Sequence, residues 1–292
     1  NGGGSSGGKI INLSTRGYVG TGTKRLIGGF KVYGGDCKII VRAFGPSRNN
    51  SDNLDNPFLT WKTNPTSLYG SDGIISMVDN KADNSRLSGQ NSSTQALIDG
   101  LLPLESADIQ TASNWSNDLS KGYTAFVTPS SGEAGVGRIG INDISDGTGG
   151  ELINISTRGF VGATSAQYLI AGFQIRNGSV KVVIQAFGPS RPNSDALVDP
   201  VIELIRQVSS FHTTKSTIAM NDDFNSDFSG KSTESGESVT TPMPSIPTSF
   251  GSLVAKESCI VITLEPGDYT ARVYGKGGGT GIGRVGINKV IE

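Results

Sequence analysis

The amino-acid sequence predicts an all-β protein made of two tandem β-sandwich domains, jelly-roll or immunoglobulin-like, related by internal duplication. Three observations carry this. The same sequence blocks occur twice, short β-branched runs alternate with glycine and proline turns, and only one weak helical pattern, at 93–102, interrupts them.

The first copy reads Ile11-Asn-Leu-Ser-Thr-Arg-Gly-Tyr-Val-Gly20, Leu26-Ile-Gly-Gly-Phe30 and Ala43-Phe-Gly-Pro-Ser-Arg48. The second reads Ile153-Asn-Ile-Ser-Thr-Arg-Gly-Phe-Val-Gly162, Leu169-Ile-Ala-Gly-Phe173 and Ala186-Phe-Gly-Pro-Ser-Arg191. Phe30 maps to Phe173 and Phe44 to Phe187, both at an offset of 143 (173 − 30 and 187 − 44). A closing block follows in each: Tyr123-Thr-Ala with Gly137-Arg-Ile-Gly-Ile-Asn142, and Tyr269-Thr-Ala with Gly283-Arg-Val-Gly-Ile-Asn288. A period this long is a domain, not a solenoid unit. The division that follows is a Gly/Ser-rich arm at 1–8, one repeat at 9–147 and a second at 148–292.

Taken in order, 9–19 reads as a strand, 26–33 as a second and 37–44 as a third, with Gly34-Gly35 as the turn between the last two. The second repeat places Asn177-Gly178 at that turn. This pair is a strong hairpin signal, because both central residues of a type I′ turn need positive φ. Val180-Lys-Val-Val-Ile-Gln-Ala-Phe187 has the apolar, β-branched character of a central strand, and the following Gly-Pro-Ser ends it. Further strands are expected at 74–77, 200–205 and 218–220, and a closing hairpin at 259–274 turns at Glu265-Pro-Gly-Asp268. The polar stretches 79–96 and 221–241 differ most between the repeats and read as loops, where individual function usually sits.

Composition narrows the function. In 292 residues the net charge is −1, so no basic face points to nucleic acid. No apolar run approaches the ~18 residues of a membrane-spanning helix. Charged residues are only 17% and glycines number 41, as in a chain of many short strands and tight turns. The start, Asn1-Gly-Gly-Gly, reads as the product of signal removal, and the expected location is extracellular or at the cell surface.

Chemical motifs are few. The glycine-rich run 275–283 is followed by a strand pattern, whereas a phosphate-cradling loop needs a helix to supply amide dipoles. His212 is the single histidine and has no counterpart in the first repeat, and no nucleophile-elbow pattern is present; no catalytic residue is assigned. Asp223, Asn225, Asp227 and Glu234 occupy positions 1, 3, 5 and 12 of a calcium-loop spacing, although Phe228 stands where that loop needs glycine. Calcium is the one cofactor the sequence suggests. Trp61, Trp115 and the recurring Tyr18/Phe160 and Tyr123/Tyr269 could stack on sugars, but recurrence in the scaffold favours packing. Cys37 and Cys259 lie in different repeats at non-equivalent positions. They form either a disulfide joining repeats or successive subunits, or two buried free thiols.

The pattern Asn-Leu/Ile-Ser-Thr-Arg-Gly, then Ala-Phe-Gly-Pro-Ser, then Leu264-Glu-Pro-Gly-Asp-Tyr-Thr-Ala271 resembles a β-rich repeat of large secreted or surface proteins of environmental bacteria. The 264–273 segment is similar to the closing hairpin of pre-peptidase C-terminal jelly-roll modules. That resemblance implies a sandwich scaffold and brings no catalytic residue with it. The first repeat departs from it, with Leu119-Ser-Lys-Gly122 in place of the Glu-Pro-Gly turn.

These readings converge on a non-enzymatic structural subunit whose partner is a copy of itself, in a filament, sheath or surface layer. The alternative is a carbohydrate-binding or adhesion module whose partners are surface glycans. The assembly element expected is the arm Asn1, Gly2, Gly3, Gly4, Ser5, Ser6, Gly7 and Gly8, which buries no side chain of its own and would be ordered by adding to a neighbouring sheet edge.

Overall fold

The computed structural model describes residues 8–35, 37–45, 53–63, 74–78, 109–115, 122–130, 132–143, 150–191, 194–207, 215–224, 228–231, 238–241, 250 and 252–291. Among them the regular structure is β, with two single 3-10 turns at Ser165–Gln167 and Lys276–Gly278. The first repeat contributes β1 (Lys9–Val19), β2 (Leu26–Tyr33), β3 (Cys37–Phe44), β4 (Pro57–Thr63), β5 (Ile74–Val78), β6 (Ile109–Trp115), β7 (Tyr123–Pro129) and β8 (Gly135–Asp143). The second contributes β9 (Glu151–Val161), β10 (Leu169–Arg176), β11 (Val180–Phe187), β12 (Pro200–Gln207), β13 (Lys215–Asn221), β14 (Phe228–Lys231), β15 (Ser238–Thr241), β16 (Ser258–Leu264), β17 (Gly267–Gly275) and β18 (Gly281–Lys289).

The pairings make a sandwich. In the second repeat one sheet runs β10–β17–β12–β13–β14–β15 and the facing one β16–β11–β18. The first repeat has β2–β7–β4–β5 against β6–β3–β8. All of these pairings are antiparallel. Registers correspond between repeats: Phe30 faces Tyr123 and Phe173 faces Tyr269. Both pairs stack in the core, with ring centroids 5.3 and 5.4 Å apart. Phe44 and Phe187 are buried as well.

The turn chemistry is as the sequence requires, but the strands it joins are not hydrogen-bonded neighbours. Asn177 and Gly178 both adopt positive φ, at 65° and 138°. Val180–Ala186 is paired along one edge with β16, and Val182–Phe187 along the other with β18, which leaves no edge of β11 for β10. The turn therefore carries the chain from one sheet to the other. The expected closing hairpin is corrected in the same way: β17 has β10 on one side and β12 on the other, and β16 lies in the opposite sheet on β11. In the stretch expected to be loop, 221–241, β14 and β15 form a short hairpin at the sheet's end, held by main-chain pairing.

The chain divides into two compact units, Asn1–Leu13 with Val161–Glu292, and Ser14–Phe160. These do not coincide with the sequence repeats 9–147 and 148–292. The cut falls within β1 and at the end of β9, which share one burial pattern. In β9 the pairing with β2 skips Ile153, since Val32 faces Leu152 while Lys31 faces Asn154. Such a bulge re-aims the strand. The buried set accordingly changes phase between Leu152 and Ile155, and in β1 between Ile10 and Leu13. In β9 the residues on both sides of the bulge, Glu151–Leu152 and Asn154–Arg158, stay on β2.

Candidate functional site

The leading part of β9 completes the first repeat: Glu151–Arg158 adds to the free edge of β2. The leading part of β1 completes the second, where β1 hydrogen-bonds to β10. A glycine enters each seat. Gly8 lies so close to the Asn177-Gly178 turn that a Cβ on it would stand 2.1 Å from the carbonyl oxygen of Gly178. Gly150 lies in the same way on the Gly34-Gly35 turn, with a Cβ 2.3 Å from the carbonyl oxygen of Gly35. Both contacts are to backbone, which cannot swing aside, so each position admits only glycine. Ile10 and Leu13 in one seat, and Leu152 and Ile155 in the other, are fully buried anchors worth about 1.5–3 kcal/mol each. One contact distinguishes the seats: the Lys289 ammonium donates to the Gly8 carbonyl at 2.7 Å. The equivalent position after the closing Gly-Ile-Asn of the first repeat is Asp143. Of the expected assembly residues, Gly8 is therefore on its own chain, and Asn1, Gly2, Gly3, Gly4, Ser5, Ser6 and Gly7 lie outside the described residues.

A second constellation gathers at the end of the second repeat. One carboxylate oxygen each from Asp199, Asp222 and Asp223 lies within 4.8 Å of the others. Their loops are held by the chain entering β16. The buried Glu257 carboxylate accepts from the amides of Gly188, Ser190 and Val254, each at 3.1 Å, and from the Ser190 hydroxyl at 2.5 Å. Its backbone carbonyl accepts from the Phe224 amide at 2.6 Å. The Ser258 hydroxyl shares its one proton between the carbonyls of Pro200 and Asp222, and the Cys259 amide donates to Asn221 Oδ1 at 2.8 Å. Lys276 pairs with Asp222 at 2.5 Å and Lys256 with Asp199 at 3.3 Å. The hydrogen bond and charge of Asp222 raise the exposed Lys276 ammonium above its ordinary value.

The oxygen spacing suits calcium, whose ligands sit at about 2.3–2.6 Å and so up to twice that apart across the ion. Two of the three carboxylates are already paired with lysines, however, and a cation would compete with Lys276 and Lys256 for them. Of the four residues with calcium-loop spacing, Asp223 is in this cluster, and Asn225, Asp227 and Glu234 lie outside the described residues. Asp199 and Asp222 were not legible as partners. Asp199 is brought in from a loop more than twenty residues away in the chain, and the matching positions of the first repeat are Asn56 and Asp79.

Beside the cluster, Tyr168 and Tyr274 stack at 5.0 Å, and the Arg272 guanidinium lies 5.7 Å from the Tyr168 ring centre. Arg272 also donates through Nε to Glu203 at 2.9 Å, and Glu203 accepts from the Thr217 hydroxyl at 2.6 Å. Burial and then the Glu203 charge push the Tyr274 phenol up. Arg25 and Phe126 hold the equivalent register positions of the first repeat, and there the guanidinium lies over the ring with the two roles exchanged. Tyr18 and Phe160 meet edge to face at 5.6 Å. Cys37 and Cys259 are both buried and form no disulfide with each other within the chain. His212 and the stretch 79–96 lie outside the described residues, as do the side chains of Trp61 and Trp115.

No family model matches the chain, and no curated protein matches it. Five chains of solved structure do. One is an F-lectin (fucolectin) from striped bass (Morone saxatilis) serum, with 8% identity over 97% of this chain and 84% of that one, at a TM-score of 0.20. A likeness that loose carries no argument about function.

Proposed function

We propose that this chain is a non-enzymatic structural subunit that associates with copies of itself outside the cell. The observation that supports the reading is the exchange of leading strands. Each repeat presents a sheet edge, on β2 or β10, that is filled by a strand belonging by sequence to the other repeat. An edge that accepts a strand from elsewhere through main-chain bonds is a general means of joining protein to protein. The low charge of the chain, 17% of residues, sets little electrostatic repulsion against such contacts.

Size-exclusion chromatography with light scattering, followed by negative-stain microscopy across a concentration series, tests the reading. Assemblies of many copies that lengthen with concentration are expected. A monomer at every concentration, and above all one that retains surface glycans, would replace this reading with that of a binding module.

A further inference from the structure

The seat on β10 can be filled from two sources, and the fold constrains them differently. The leading part of β9 is bound to the first repeat by direct continuation from β8, with only 144–150 between them. It must stay on its own chain. The leading part of β1 has no such tie to the second repeat, because what links the two is the whole of 14–160. Three features tie it to the second repeat: the glycine seat at Gly178 and Ser179, the Lys289 ammonium on the Gly8 carbonyl, and its place in one compact unit with Val161–Glu292, in which Ile10 and Leu13 are buried. The same segment from another copy would meet all of these unchanged. The cost of exchange falls on the backbone between Leu13 and Ser14, where one compact unit ends and the other begins.

We propose that residues 8–13 of one copy occupy the β10 seat of a second copy, so that copies join head to tail. This rests on the self-association reading above and names its joint. The chain's own segment competes at a fixed effective concentration, so the balance shifts toward exchange as protein concentration rises. Exchange of an identical element is a low-cost route to assembly, and a head-to-tail joint that does not close gives a filament. Lys289 confines the joint to the second repeat, since Asp143 stands at the matching place in the first and offers a carbonyl no donor.

The test uses the full chain and its Gly8→Val variant, each unfolded and refolded at high concentration, with mass read by light scattering and fold by circular dichroism. The full chain should give a ladder of multiples, and an excess of synthetic peptide 1–13 added during refolding should shorten it toward the monomer. Gly8→Val should keep the β spectrum and stay monomeric, and Lys289→Met should shift the ladder several-fold toward small species. If Gly8→Val assembles like the unaltered chain and the peptide has no effect, the strand seat is not the joint, although self-association survives. If the unaltered chain is monomeric throughout, both are overturned.

Discussion

Glu257 shows what a single side chain does in this fold. Its carboxylate gathers four donors from two loops, and its removal strands the buried Gly188 amide, while Ser190 and Val254 are exposed to solvent. An unsatisfied buried donor costs about 1–3 kcal/mol, and the exposed donors can turn to water, so Glu257→Ala should lower stability by about 1–3 kcal/mol in guanidinium unfolding. A loss under about 0.5 kcal/mol, the scale of an ordinary surface change, would show that water replaces the carboxylate. Nothing in the sequence marks this residue, since its partners are amides that any residue could supply. Cys259 makes a second case. Burial pushes its thiol from 9.0 up to about 12, so it stays neutral in the fold where the unfolded chain ionises. Unfolding then releases a proton, and stability falls as pH rises through that interval. The slope approaches about 1.4 kcal/mol per pH unit. Cys259→Ala should remove that component, leaving a shallower decline over the same range. Equal slopes for the two proteins would mean that the thiol is open to solvent.

At the scale of elements, sequence and structure part company in an instructive way. The Asn177-Gly178 turn was legible because positive φ is a local demand, and both residues meet it. Its hairpin was not, because pairing depends on which strands occupy each edge, and β11 is fully taken by β16 and β18. The strands β14 and β15 were read as loop because their stabilisation lies in main-chain bonds that leave no apolar period to detect. Tyr123 and Tyr269 were legible as core, since they recur opposite Phe30 and Phe173 at the same register. The acidic cluster was half legible: Asp223 lay in a recognisable spacing, while Asp199 joins it only through the packing of loops on β16.

For the whole molecule, the constant offset of 143 revealed two repeats but not how they are completed. Lys9-Ile-Ile-Asn-Leu13 and Glu151-Leu-Ile-Asn-Ile155 carry the same pattern, so either strand would suit either seat, and sequence alone assigns each to its own repeat. The exchange is seen in the pairing of β9 with β2 and of β1 with β10, and in the glycine that enters each seat. Amide hydrogen exchange read by mass spectrometry, comparing the full chain with one lacking residues 1–13, tests this most directly. The exchanged arrangement predicts that protection is lost in β10, Leu169–Arg176, while β2, Leu26–Tyr33, stays protected beneath β9. Loss of protection in β2 with β10 unchanged is what a first repeat closed by its own leading strand would give, and that result would contradict the account.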